Sequence, residues 1–252
     1  MTKVTDTSSA LQAAGVSGGE FRLPFGARFL SLCACVLLAV ASLAAIGACV
    51  AAALAGRWAL VLGVGIAAAI LVELTRHVAR DLAGKWGLRI GFGTDALDLM
   101  LPAGRSLAHR LPAVRRSVPY SRVEAVETRA EAHSSLGMTR MQRPYVLRLA
   151  GDERIFLFEE RALGTSMETR HFAPAVAEIA RRSGASVEDL GMSEEKGGVL
   201  GVWGARGARW DAAALPENSQ NRLWRRARTT GAVAILVVLA ALIARGVFAF
   251  AG

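Results

Sequence analysis

Three long apolar runs interrupt an otherwise mixed chain. Phe29 to Gly56 carries no charge and is dominated by Ala, Leu, Val and Cys, which exceeds the roughly 20 residues a helix needs to cross hydrocarbon. Trp58 to Val72 is also uncharged, and Glu73, Leu74 and Thr75 bring it to spanning length with its acid near one end. Thr229 to Ala244 makes the third run; Arg245 interrupts it before Gly246 to Phe250 continue, a position from which an arginine can snorkel to the interface. Only Gly56 and Arg57 separate the first two runs, so they predict a helical hairpin. The expected spans are 28–57, 58–76 and 229–250.

Between the second and third runs the pattern changes period. Arg76 to Lys85 continues the second helix, with Trp86 at headgroup level. Leu88, Ile90 and Phe92 alternate, Gly93-Thr94-Asp95 turns, and Leu97, Leu99 and Leu101 alternate again, which predicts a hairpin. Pro102 to Pro112 reads as a loop, and Val118, Tyr120 and Val123 to Val126 as a further strand. A second hairpin follows: Tyr145, Leu147 and Leu149 alternate, 150–153 turns, and Ile155 to Phe158 returns. Thr165 and Glu168 have capping-box spacing, and Phe172, Val176 and Ile179 share one face of a helix ended by Ser183-Gly184, with Pro174 limiting its start. The resulting organisation is a disordered tail over 1–27, a strand-rich domain over 86–190 that closes with a helix, and a Gly/Arg/Trp-rich connector over 191–228. The fold class is therefore membrane α-helical with three spans, plus an α+β soluble domain.

Charge sets an orientation. Lys3, Arg22 and Arg28 precede the first span, Arg76, Arg80, Lys85 and Arg89 follow the second, and Arg222, Arg225, Arg226 and Arg228 precede the third, whereas Arg57 and Arg245 are the only basic residues on the other side. The positive-inside rule then puts the N-terminus and the central domain in the cytoplasm and Gly252 outside. Ala53-Leu54-Ala55 and Ile46-Gly47-Ala48-Cys49 have the look of processing sites, but the apolar run is far longer than the roughly 7 to 15 residues of a signal core and a second span follows at once. Cys33, Cys35 and Cys49 all lie in the first span, where they read as small apolar packing residues rather than disulfide partners or metal ligands.

Val118-Pro119-Tyr120-Ser121-Arg122-Val123-Glu124-Ala125-Val126-Glu127 resembles a pattern of bacterial pleckstrin-homology-like domains in membrane proteins, in which an apolar-Pro-aromatic run leads out of a strand. The stretch from about Ala27 to Gly184 is also similar to uncharacterised two-helix integral membrane proteins whose helices end in a basic stretch like Arg76-His77-Val78-Ala79-Arg80-Asp81 before a small β domain. The resemblance implies a PH-like antiparallel β sandwich or open barrel capped by a C-terminal helix, in a bacterial inner membrane, with no catalytic residues. This chain departs from it by a third span and by an arginine-rich insertion before the Val-Pro-Tyr strand.

That insertion is the main candidate site. From Asp98 to Glu124, Arg105, His109, Arg110, Arg115, Arg116 and Arg122 occur without an intervening acid, and near an anionic leaflet each basic group adds about 1 kcal/mol of attraction. The competing explanation is bias, since the chain has 27 Arg against 3 Lys. Nucleic-acid binding would require interleaved aromatics or a recognisable module, and neither is present. The run Arg222 to Arg228 reads as the flank of a span, and Glu73 with Arg76 as an interfacial ion pair. Gly63-x-Gly65-x-x-Ala68 and Gly91-x-Gly93-x-x-Ala96 lack the strand-turn-helix setting of a phosphate loop. His77, His109, His133 and His171 show no metal-ligand spacing, and Glu127 and Glu131 stand at helical spacing with nothing further to mark them.

The sequence reading is a non-catalytic, membrane-anchored interaction module without cofactor. Arg105, Arg110, Arg115, Arg116 and Arg122 are its candidate contacts to anionic lipid headgroups or to another membrane protein, and a homo-oligomer is compatible with it. The alternative is an accessory or assembly subunit of a larger membrane complex, with a membrane enzyme as a third class.

Overall fold

The structure, a computed structural model, describes residues 16–17, 19–106, 109, 111–135, 138–162, 171–196, 209–230 and 232. The chain forms two compact units, divided in sequence between Val118 and Pro119.

In the first unit, helices α1 (Phe25–Leu54) and α2 (Trp58–Gly87) form the expected hairpin, turned by Gly56 at φ 69°, a left-handed conformation that glycine adopts without a Cβ penalty. Each has 30 residues, so at about 1.5 Å per residue each outruns the roughly 30 Å of a hydrocarbon core. Both are long and apolar enough to cross a membrane. Leu30, Leu37, Val40, Leu43, Leu62 and Ile66 point outward and are exposed.

Polar side chains instead turn toward the partner helix. Ser42 Oγ and Thr75 Oγ1 lie 2.9 Å apart, Cys49 Sγ donates to the Val61 carbonyl at 3.7 Å, and Lys85 Nζ donates to Ser31 Oγ at 2.6 Å while pairing with Asp81 at 3.1 Å. Interhelical bonds of this kind satisfy groups that hydrocarbon cannot. Glu73 pairs with Arg76 at 3.0 Å, as expected. The third expected span, 229–250, lies outside the described residues except at 229, 230 and 232.

A five-stranded sheet completes this unit, in the order β1 (Val16–Ser17), β2 (Glu20–Phe21), β3 (Arg89–Phe92), β4 (Ala96–Leu101), β5 (Val114–Pro119). Leu88, Ile90, Phe92, Leu97, Leu99 and Leu101 are all buried, so the predicted alternation holds. The expected disordered tail over 1–27 needs correction at its end. Phe21 lies opposite Ile90, and Phe21 and Leu23 are 0% and 2% exposed. Two apolar residues around Arg22 make too short an alternation to stand out in a polar tail, but the sheet edge they meet gives them a core.

The second unit contains β6 (Val123–Ser135), β7 (Met138–Leu149), β8 (Glu153–Ala162), helix α3 (Ala173–Ser183) and β9 (Ser186–Lys196), with strand order β8-β7-β6-β9. The expected hairpin turns at 150–152, with Gly151 and Asp152 at positive φ, and its register puts Leu149 opposite Glu153 and Leu147 opposite Ile155. Pro174 occupies the first turn of α3, where its missing N–H costs nothing, and Gly184 at φ 70° ends the helix. Phe172, just before α3, has ring centroids 5.4 Å from both Tyr145 and Phe158. The capping pair Thr165 and Glu168 lies outside the described residues.

Two features differ from the expected layout. First, β6 and β7 are longer than expected, at 13 and 12 residues, and in β6 buried polar residues such as Glu127, Arg129 and Glu131 hide the period-2 pattern. Second, the domain does not close with α3. Strand β9 runs through position 190 and pairs parallel with β6, Val126 opposite Val187 and Ala132 opposite Glu194. Beyond it, residues 217–230 form a helix, α4, whose Leu223 and Ala227 are buried against Ala130, Ala132, Met141 and Met192. The expected connector over 191–228 therefore contains a strand end and a docked helix.

Candidate interaction surface

Glu127 organises one face of the second sheet. It is 1% exposed and takes Arg148 Nη1 at 2.7 Å and Arg154 Nε at 3.0 Å. Arg148 reaches on to Glu188 of β9 at 3.1 Å, while Arg154 also pairs with Asp152 at 3.1 Å. The register explains the grouping, since Arg148 lies opposite Arg154 and Glu127 opposite Glu188. Like charges face each other across one ladder and are neutralised diagonally by the other. A Ser186 hydrogen bond, with Arg148 second, holds the Glu188 carboxyl below its usual range. The network joins all four strands by charge, and its two acids on β6 and β9 are both committed.

Arg129, 1% exposed, is spent on the main chain. Its guanidinium donates to the carbonyls of Arg209, Ala212 at 2.6 Å and Leu190 at 3.4 Å. It thereby holds the segment that leads into α4, helped by Leu215 N donating to Met192 O at 2.8 Å and by Arg209 pairing with Glu195 at 3.4 Å. A guanidinium suits this task because its planar fork serves several fixed acceptors at once.

Further along β6, Glu131 and His133 sit two residues apart and so on one strand face. His133 Nε2 lies 3.0 Å from Glu131 Oε2, which also accepts Gln142 Nε2 at 2.8 Å. The Glu131-x-His133 spacing carries this pairing in the sequence, but only once the segment is read as a strand and not at helical period.

The five expected contact arginines do not form one group. Arg105 is 2% exposed and donates to the carbonyls of Pro102 at 2.8 Å and Pro112 at 2.6 Å, so it closes the loop instead of facing outward. Burial pushes its guanidinium down to about 10. Arg110 lies outside the described residues. On β5, Arg115 is exposed and Arg116 half-buried, following the strand's alternation. Arg122, in the second unit, is directed at Glu153, 3.4 Å away.

Helix α4 presents the cations that this reading assigned to a span flank. Arg222, Arg225, Arg226 and Arg228 are all exposed, Trp224 is half-buried, and Leu223 and Ala227 are buried. At 3.6 residues per turn the four arginines occupy the side opposite the docked stripe. Thr230 Oγ1 accepts the Thr139 backbone N–H at 3.2 Å and fastens the last described turn to β7. No family model, curated protein or solved structure matches this chain.

Proposed function

We propose that this chain is a non-catalytic, membrane-anchored interaction module of a bacterial inner membrane, whose cytoplasmic PH-like domain binds a protein partner or an anionic lipid surface. The observation that carries the reading is the outward face of the α1–α2 hairpin. Leu30, Leu37, Val40, Leu43 and Leu62 are exposed, while the hydroxyls of Ser42 and Thr75 turn inward on each other. That is the reverse of a water-soluble hairpin and suits hydrocarbon as the surrounding solvent. The PH-like part of the reading is supported by the long antiparallel strands β6 to β8 followed by α3, and β9 adds a strand beyond the family's closing helix. In this reading the chain is multi-pass, the run 229–250 is a third span, the N-terminus and both β units are cytoplasmic, and Gly252 is outside.

Two measurements test it together. The full chain should stay with the membrane pellet through alkaline carbonate extraction. Reporters placed after Thr2 and after Gly198 should read cytoplasmic, and one after Gly252 periplasmic; the Gly198 position spares β9, which ends at Lys196. Release into the carbonate supernatant, or a periplasmic signal at Gly198, would overturn the reading.

A further inference from the structure

We propose that the outer face of α4 is a docking surface for anionic phospholipid headgroups, with Arg222, Arg225, Arg226 and Arg228 as its contacts; this rests on the membrane-anchored reading above. The contrast within the second unit carries the argument. Arginines elsewhere in it are engaged within the unit: Arg122 with Glu153, Arg143 with Asp189, Arg148 and Arg154 with Glu127, Arg181 and Arg182 with Glu178, Arg209 with Glu195, Arg129 with main-chain carbonyls and Arg140 with Gln142. On α4 the pattern stops. Its four arginines are exposed, form no ion pair among the described residues, and have no acid between Glu217 and the chain's end in the sequence. A compositional excess of arginine does not account for the difference between these engaged arginines and the four on α4.

The helix is also fixed in place, so the face is preformed. Leu223 and Ala227 bury its inner stripe, Gln220 Nε2 donates to the Leu215 carbonyl at 2.8 Å, and the Thr139 N–H to Thr230 bond holds its far end. Preorganisation of this kind lowers the ordering cost of binding. Trp224 is half-buried on the rim between the docked and basic sides, the setting in which tryptophan meets a headgroup layer. The sequence runs from Arg228 straight into the apolar stretch Thr229 to Ala244. Each cation near an anionic leaflet adds attraction, so such a leaflet matches both the charge and the apolar continuation. Nucleic acid or an acidic protein would match the charge alone.

The test uses the full chain in lipid nanodiscs, with Cys33, Cys35 and Cys49 changed to Ala and a nitroxide on Asn221→Cys, an exposed position beside the arginines. Nickel-chelating headgroup lipid reports the approach of the label to the bilayer surface. Replacing roughly one third of a neutral phosphatidylcholine bilayer by phosphatidylglycerol should raise label relaxation at least about threefold, since each engaged arginine adds attraction. The gain should vanish at about 0.5 M salt, where attraction between exposed charges reaches only a few ångströms. Changing all four arginines to Gln should remove it with protease resistance unchanged, and changing them to Lys should keep it. Equal relaxation in neutral and anionic discs, a gain that survives the Gln changes, or its loss in the Lys variant would overturn the proposal. A chain that elutes apart from the discs would instead sink the anchored reading on which it stands.

Discussion

Gly84 of α2 and Gly104 of the following loop meet backbone to backbone, with no room for a Cβ on either. An added Cβ at Gly84 would overlap the Gly104 carbonyl, and one at Gly104 would overlap the Arg80 carbonyl. The 3-10 turn Ala103–Arg105 thus lies directly on the helix, and Arg105 ties the Pro102 and Pro112 carbonyls together. Gly84→Ala should cost about 2 to 3 kcal/mol, because backbone rather than a flexible side chain must move. Limited proteolysis of the full chain in detergent checks this: cleavage within 102–112 should accelerate strongly, while Gly63→Ala, in open surroundings, should leave it unchanged. Equal cleavage rates for the two variants would refute the contact.

Arg129 offers a second test, because its buried charge is satisfied by main-chain carbonyls alone among the bonds described above. Arg129→Lys keeps the charge but gives a single donor group that cannot reach the carbonyls of Leu190, Arg209 and Ala212 together. The expected cost is about 3 kcal/mol, seen as a lower denaturant midpoint. Hydrogen exchange should rise in 209–216 and α4 before it rises in the β7–β8 hairpin. Uniform loosening of the whole unit would mean that Arg129 is simply a core residue and not a clamp.

The third prediction concerns pH. Glu178 of α3, 6% exposed, accepts Arg181 at 2.6 Å and Arg182 at 2.6 Å, and the Arg181 hydrogen bond leads in holding its carboxyl down to about 2. Its folded-state value is lower than its unfolded one, so its contribution is complete above the ordinary carboxylate range. That contribution is lost as pH falls from about 4.5 toward 2. Glu178→Gln should cost about 1 to 2 kcal/mol at pH 7 and should flatten the pH dependence of stability within that window. Parallel pH curves for the two proteins would assign the acid sensitivity to another group.

Residues with one environment per strand face were legible in the sequence. Leu88, Ile90 and Phe92 against Leu97, Leu99 and Leu101, and Leu147 against Ile155, announced their hairpins because each apolar side chain meets another across the ladder. Phe172, Val176 and Ile179 likewise announced α3. What escaped was the part of the second sheet where charged residues are buried along β6. Glu127 and Glu131 stand at helical spacing with nothing further to mark them, and Arg129 carries no signal of its own, yet their partners come from β7, β8, β9 and the 209–212 segment, distant in sequence. Strand β9 escaped for the same reason, since the acidic run Glu188, Asp189, Glu194 and Glu195 hides a ladder that Arg143, Arg148 and Arg209 neutralise. The arginine loop shows the converse error: Arg105 has the composition of a contact residue and the geometry of a loop brace. A charge count gives no information on which cations are already engaged.

The parallel pairing of β6 with β9 also dictates an order of events during synthesis. Strands β6, β7 and β8 follow one another with two or three residues between them and can zip as soon as they leave the ribosome, but Val126 waits for Val187 and Ala132 for Glu194, a closure over some 60 intervening positions. Throughout that interval the nascent sheet carries an open β6 margin bearing Glu127 and Arg129, and charges along an unpaired margin discourage intermolecular strand addition. The residues that later knit the finished sheet therefore act first as guards of its unfinished side.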